Sequence, residues 1–161
     1  MTVPVRVTAP SAPVVVLSDL KEHLRVDGTD SDAMIEGLEK AAVAHLDGYR
    51  GILGRCIHSQ EWSVTYDAAG TYRLPLPDVS AIVVSAGTAE LETDCLGAKV
   101  TITEAATVTM TCALPSDALD AVRQAICLWV QKRFDGLTGS EGQAFDDAFD
   151  ALVTPLRWTR V

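Results

Sequence analysis

The chain has 161 residues, 48% apolar content and a formal charge of -9, from 13 Lys and Arg against 22 Asp and Glu. That is enough apolar material for one domain with a real core, and it excludes the disordered and collagen-like classes. The acidic balance argues against a sequence-independent grip on phosphate backbones. No basic-then-apolar leader opens the sequence, and no run approaches the roughly 20 apolar residues that a membrane span needs. Synthesis and retention in the cytoplasm, without membrane contact, is therefore expected.

Residues 1–16 carry Pro4, Pro10 and Pro13 among Val, Thr and Ala. Each proline removes a backbone donor and biases the preceding residue away from helix, so this stretch reads as an extended N-terminal arm. A short helix over 18–25 follows, with Ser18 as cap and Leu20 and Leu24 on one face. The acidic turn 27–32 leads into a second helix over 31–50, capped by Asp30 or Ser31, in which Ile35, Leu38, Ala42, Leu46 and Tyr49 recur at helical spacing. Glu36 and Lys40 make a favourable four-residue pair there. Gly48, costing about 1 kcal/mol relative to alanine in a helix interior, marks a close approach or fraying.

The pattern then changes period. Trp62, Val64 and Tyr66 alternate with Glu61, Ser63 and Thr65, and 72–76, 81–85, 99–103 and 107–112 are threonine-rich or β-branched. Gly70, Pro75, Pro77, Gly87 and Gly97 supply turns. Residues 57–113 read as a small antiparallel β module. A strong helix over 116–135 begins at Ser116, with Leu119, Val122, Ile126, Trp129 or Val130, and Phe134 on one face. A glycine-rich loop, a helix over 144–152 carrying Phe145, Phe149 and Leu152, and a tail over 153–161 complete the chain.

The chemistry-bearing residues are sparse. The acidic turn does not fit a calcium loop of the EF-hand type, because the sixth and twelfth places counted from Asp27 hold Asp32 and Leu38. Cys56 and His58 are two candidate zinc ligands without a second close pair, and His23 and His45 lie in other segments. The four cysteines, Cys56, Cys95, Cys112 and Cys127, read as reduced and mostly buried thiols. Neither a nucleophile elbow nor a glycine-rich phosphate loop is present. Asp146, Asp147 and Asp150 opposite Phe145 and Phe149 read as the wet face of an amphipathic helix. No catalytic residue, cofactor or metal site is assigned. The tail stands apart: Leu156, Arg157, Trp158, Arg160 and Val161 are apolar, aromatic and basic in an acidic protein. Trp and Arg are the types that most often anchor interfaces. The alternative is that Trp158 folds back onto its own domain.

Three segments resemble phage head-tail connector (adaptor) proteins, as found in tailed phages and phage-like gene transfer agents. They are 17–26 with the acidic turn, the run from Ala41 through Tyr49, Arg50 and Gly51 to Glu61 and Trp62, and the helix 122–134; Leu152, Pro155 and Arg157 add an echo near the end. The specificity lies in their combination and order. The resemblance implies an α+β subunit, with N- and C-terminal helices packed as a small bundle, an inserted antiparallel β module and extended termini. It implies a twelvefold ring beneath the portal protein, contacting neighbouring copies and a stopper or tail-completion protein, with DNA passing through without specific binding. It places the protein at the head-tail interface of a virion or phage-like particle, as a structural part and not an enzyme. By this reading residues 153–161 reach the portal or an adjacent subunit. The long β segment departs from all-helical connectors and keeps open a tail-completion or stopper role. A small cytoplasmic enzyme or metal-binding protein using Cys56 and His58 is the alternative of a different class.

Overall fold

The computed structural model describes residues 3–159. The fold is α+β, with two hydrophobic cores lying side by side, one between helices and one between two antiparallel sheets. The helices are α1 (Leu17–Leu24), α2 (Asp32–Leu46), α3 (Ser116–Phe134) and α4 (Gly139–Val153), followed by a 3-10 turn over Thr154–Leu156. α3 packs against all three others. Leu20, Ile35, Ala42, Leu46, Val122, Ile126, Val130 and Val153 are at most 1% exposed in this core. Of the two candidates on α3, Val130 is buried, whereas Trp129 lies half-exposed under the Arg133 guanidinium, 3.2 Å from its ring centroid.

Several element ends differ from expectation. Among the described residues no helix start has a side-chain cap hydrogen bond, so Ser18, Ser31 and Ser116 do not cap. In α1 the Val16 carbonyl already accepts from Asp19 and Leu20, which starts the helix before Ser18. α2 stops at Leu46, not near residue 50, because Asp47 turns extended (ψ 144°) and aims its carboxylate inward. Gly48 then takes φ +78°, and a Cβ on Gly51 would lie 2.3 Å from the Leu46 carbonyl oxygen. This corner admits glycine because a side chain has nowhere to go. α4 begins at Gly139, five residues before the apolar spacing begins at Ala144.

The β part is a sandwich. One sheet has the order β1-β2-β7-β4, with β1 (Val5–Thr8), β2 (Gln60–Tyr66), β4 (Val79–Val84) and β7 (Ala106–Cys112); the other has β3-β6-β5, with β3 (Gly70–Arg73), β5 (Ala89–Asp94) and β6 (Gly97–Ile102). Every neighbouring pair is antiparallel. β2 and β7 alternate buried and half-exposed residues throughout, as a sheet with one core face must. Trp62, Val64, Tyr66, Val108, Met110 and Cys112 point inward onto Ala98, Val100 and Ile102 of β6. Tyr66 stacks on Tyr72 across the two sheets with centroids 4.2 Å apart, and burial pushes its phenol up to about 12. The N-terminal arm is extended as expected, but it is part of the body: its residues 5–8 form β1, paired with β2.

Arg73 of β3 grips Asp94 of β5 with two bonds of 2.6 Å, and the Leu96 N–H also donates to that carboxylate. The Arg73 hydrogen bonds, followed by the Leu96 backbone bond, hold the Asp94 carboxyl down to about 2. Because the folded-state value lies below that of an unfolded aspartate, the contribution is complete above about pH 4 and is lost as pH falls through about 2. The pair is exposed, so the contribution is small. Carbon-detected NMR titration of Asp94 is expected to give a midpoint near 2 that Arg73→Ala returns to the usual aspartate range. An unchanged midpoint in that variant refutes the assignment.

Candidate interaction surfaces

Where the two cores meet, a buried polar cluster joins three segments distant in sequence. Asp47, 7% exposed, accepts from the Ile57 N–H at 2.8 Å and from Gln60 Nε2 at 2.9 Å, and its other oxygen accepts from Arg6 at 2.9 Å. Gln60, 2% exposed, passes the network on by accepting from the Trp62 indole N–H at 3.1 Å. Arg6 lies over the same indole, 5.0 Å from its centroid. The cluster ties β1 and the end of α2 to β2. A second anchor holds the rest of the arm: Glu39, 4% exposed, accepts from the N–H groups of Val14 and Val15, and Arg123 donates to the Val14 carbonyl. Burial of an acceptor is tolerated here because each has donors aimed at it.

Between arm and α2 runs a groove of about 1140 Å³, lined by Val3, Val5, Pro10, Val43 and Trp62, with Lys40, Arg50 and His58 at its polar margins. Among the described residues the buried His58 Nε2 has no hydrogen-bond partner.

The candidate zinc ligands are not gathered. His23 bonds Gln131, and His45 stacks on Phe149. Cys56 shares a hydrogen bond with Cys112 at 2.8 Å. That bond, followed by burial, raises the Cys56 thiol far above its ordinary range, which disfavours the thiolate that a nucleophile or metal ligand requires. Cys56, Cys112 and Cys127 are buried free thiols and Cys95 is exposed. Lys21 closes the acidic turn by donating to the Gly28 carbonyl and to Asp32. Among the described residues no three His, Cys, Asp or Glu side chains come together as a metal site, and no helix is long and apolar enough to cross a membrane.

The described part of the tail, residues 153–159, lies against its own chain. The Trp158 N–H donates to the Leu53 carbonyl at 2.7 Å, and its indole covers Gly97, where a Cβ would sit 2.7 Å from the ring. Arg55 pairs with Asp78 through two bonds of 2.7 Å and also reaches the Leu156 carbonyl. Arg157 is exposed and lies 3.5 Å from Asp150. Leu156 and Trp158 are each half-buried, and Arg160 and Val161 lie outside the described residues. Val153, at the start of the expected tail, is fully buried in the helical core.

The sheet edges and the Asp47 cluster escaped the sequence reading. An extended pattern does not reveal which strand lies at an edge, and a single Asp or Gln does not announce its burial. The one available signal was Gly48 beside an Asp, three residues before a second glycine.

The resulting architecture joins a helical bundle to a β sandwich, with the segments near both ends of the described residues packed onto that body. Its fold is that of a chain in the solved neck of an empty GTA particle, computed with C6 symmetry; the match has a TM-score of 0.72 at 18% identity and covers 99% of this chain and 97% of that one. No family model matches the sequence, and no curated protein does either.

Proposed function

We propose that this chain is a structural head-tail connector of a tailed phage or phage-like gene transfer particle. In this role it forms a ring under the portal, joins head to tail and continues the DNA channel. The observation that carries the reading is the near-complete fold match, from end to end of both chains, to a neck subunit of a GTA particle. The charge of -9 suits such a place, since a lumen wall that repels phosphate lets DNA slide without being held. The work is done by shape and contact, with no catalytic step.

The tail residues Leu156, Arg157, Trp158, Arg160 and Val161 are the proposed contact with the portal or a neighbouring copy. Trp158 itself lies on Gly97 of its own chain, beside the turn between β5 and β6, and the proposed contact is formed around that place. The ring is proposed to be twelvefold.

The test is electron microscopy of particles from producing cells that lack the gene. DNA-filled heads without tails, beside separate finished tails, are expected. Intact particles in normal number would overturn the reading. Direct binding of the purified chain to portal distinguishes a connector from a tail-completion or stopper protein, which would bind only once a connector ring is in place.

A further inference from the structure

Among the described residues the four-stranded sheet ends in two unpaired edges; each carries one register shift, between Arg6 and Thr8 in β1 and between Val79 and Ala81 in β4, which leaves residues 5–6 and 81–84 in regular register. Natural edge strands are commonly blunted by short length, bulges, lysine, proline or an inward charge, and here the charge-based devices are the ones missing. β4 reads Val-Ser-Ala-Ile-Val-Val, without a charge, and leaves Val83 69% exposed. β1 at the opposite edge leaves Val5 and Val7 62% and 57% exposed, and its one charge, Arg6, bonds Asp47 and so is not spent guarding the edge.

Strand direction decides how such edges can meet. β1 is antiparallel to β2, β2 to β7 and β7 to β4, so β1 and β4 run in opposite directions. A copy carried round a ring axis keeps its direction relative to that axis. Its β1 therefore arrives antiparallel to β4 of the copy before it, and the alternation continues without a break. Val5, Ser63, Thr109 and Val83 form one row across the sheet, so the row of one copy runs on into Val5 of the next.

Charge favours the same pairing. The groove beside β1 carries exposed Lys40 and Arg50 against one exposed acid, Glu36, whereas β5, adjacent to β4, carries exposed Glu90 beside a Glu92 that is paired with Lys99. Head-to-tail contact brings opposite signs together; β4 against β4 would bring acids together and close as a two-fold dimer.

We infer that copies of this chain assemble by β4 of one pairing with β1 of the next, making one continuous antiparallel sheet around the ring. The inference rests on the proposed neck role and names the partner and surface that role requires.

The test uses particles from cells expressing Val5→Cys with Val83→Cys, on a Cys95→Ser parent that removes the exposed native thiol, treated with a short bismaleimide. A ladder of covalent multimers is expected from the double variant, and monomer from either single variant. Particles that contain the chain but yield no ladder, or dimers from Val83→Cys alone, overturn the edge pairing and leave the neck role standing. Absence of the parent chain from particles overturns both. As a second arm, Val83→Lys should keep the melting temperature of the isolated chain but lose it from particles. Unchanged incorporation of that variant overturns the edge pairing independently.

Discussion

Replacing Asp47 by alanine is expected to destabilise the protein by about 3–5 kcal/mol, the range found when one partner of a buried charged network is removed. The Ile57 N–H and the Gln60 amide lose their acceptor in a place from which water is excluded, and Arg6 loses its counter-charge. Arg6 is 37% exposed at its side chain, so the ion pair itself is the smaller part and the two buried donors the larger. For a chain of this size the melting midpoint should fall by roughly 10 °C. Asp47→Asn, which retains one acceptor oxygen, should recover part of the loss, and Arg6→Ala should cost about 1 kcal/mol. Thermal unfolding followed by circular dichroism checks all three. A loss for Asp47→Ala no larger than that for Arg6→Ala would show that the buried donors find other partners.

Ile126→Ala is expected to cost about 2–5 kcal/mol, since Ile126 is 0% exposed at the centre of α3 and the facing side chains cannot close on the space it leaves. The site of the loss is the helical core, but the effect should reach the sheets. The Asp47 cluster binds the end of α2 to β1 and β2, and the Leu114 N–H donates to the Cys56 carbonyl where α3 approaches the sandwich. One cooperative transition is therefore expected, shifted as a whole. Tryptophan fluorescence and far-ultraviolet circular dichroism should report the same midpoint. Two separated transitions in Ile126→Ala, with the β part melting later, would show that the cores fold independently. In combination with Asp47→Ala the two losses should exceed a simple sum only if the cluster is what couples them.

The burial of Ile126 was announced by its helical spacing, whereas the Asp47 cluster had no local pattern to announce it; the elements themselves were mostly legible. Period 3.6 marked α1, α2 and α3 because each buries a stripe, and period 2 marked β2 because one of its faces is covered. β5 was not foreseen: Ala-Glu-Leu-Glu-Thr-Asp has little β propensity, and it is a strand because β6 offers it a hydrogen-bonding edge. The β1 strand was read only as an extended arm, since four residues beside prolines carry no sign of the partner they will find fifty residues later.

By itself the sequence determined the class: acidic, α+β, helices around a threonine-rich β segment, without a motif for metal, phosphate or nucleophile. Those are properties of composition and spacing, which the unfolded chain already has. Only the tertiary structure decided that Trp158 docks on Gly97, that Asp47 and Gln60 are buried together, and that β1 and β4 are the open edges of one sheet. Each of these depends on which distant segments meet, and hydrogen bonds and close packing are satisfied between neighbours in space, whatever their separation along the chain.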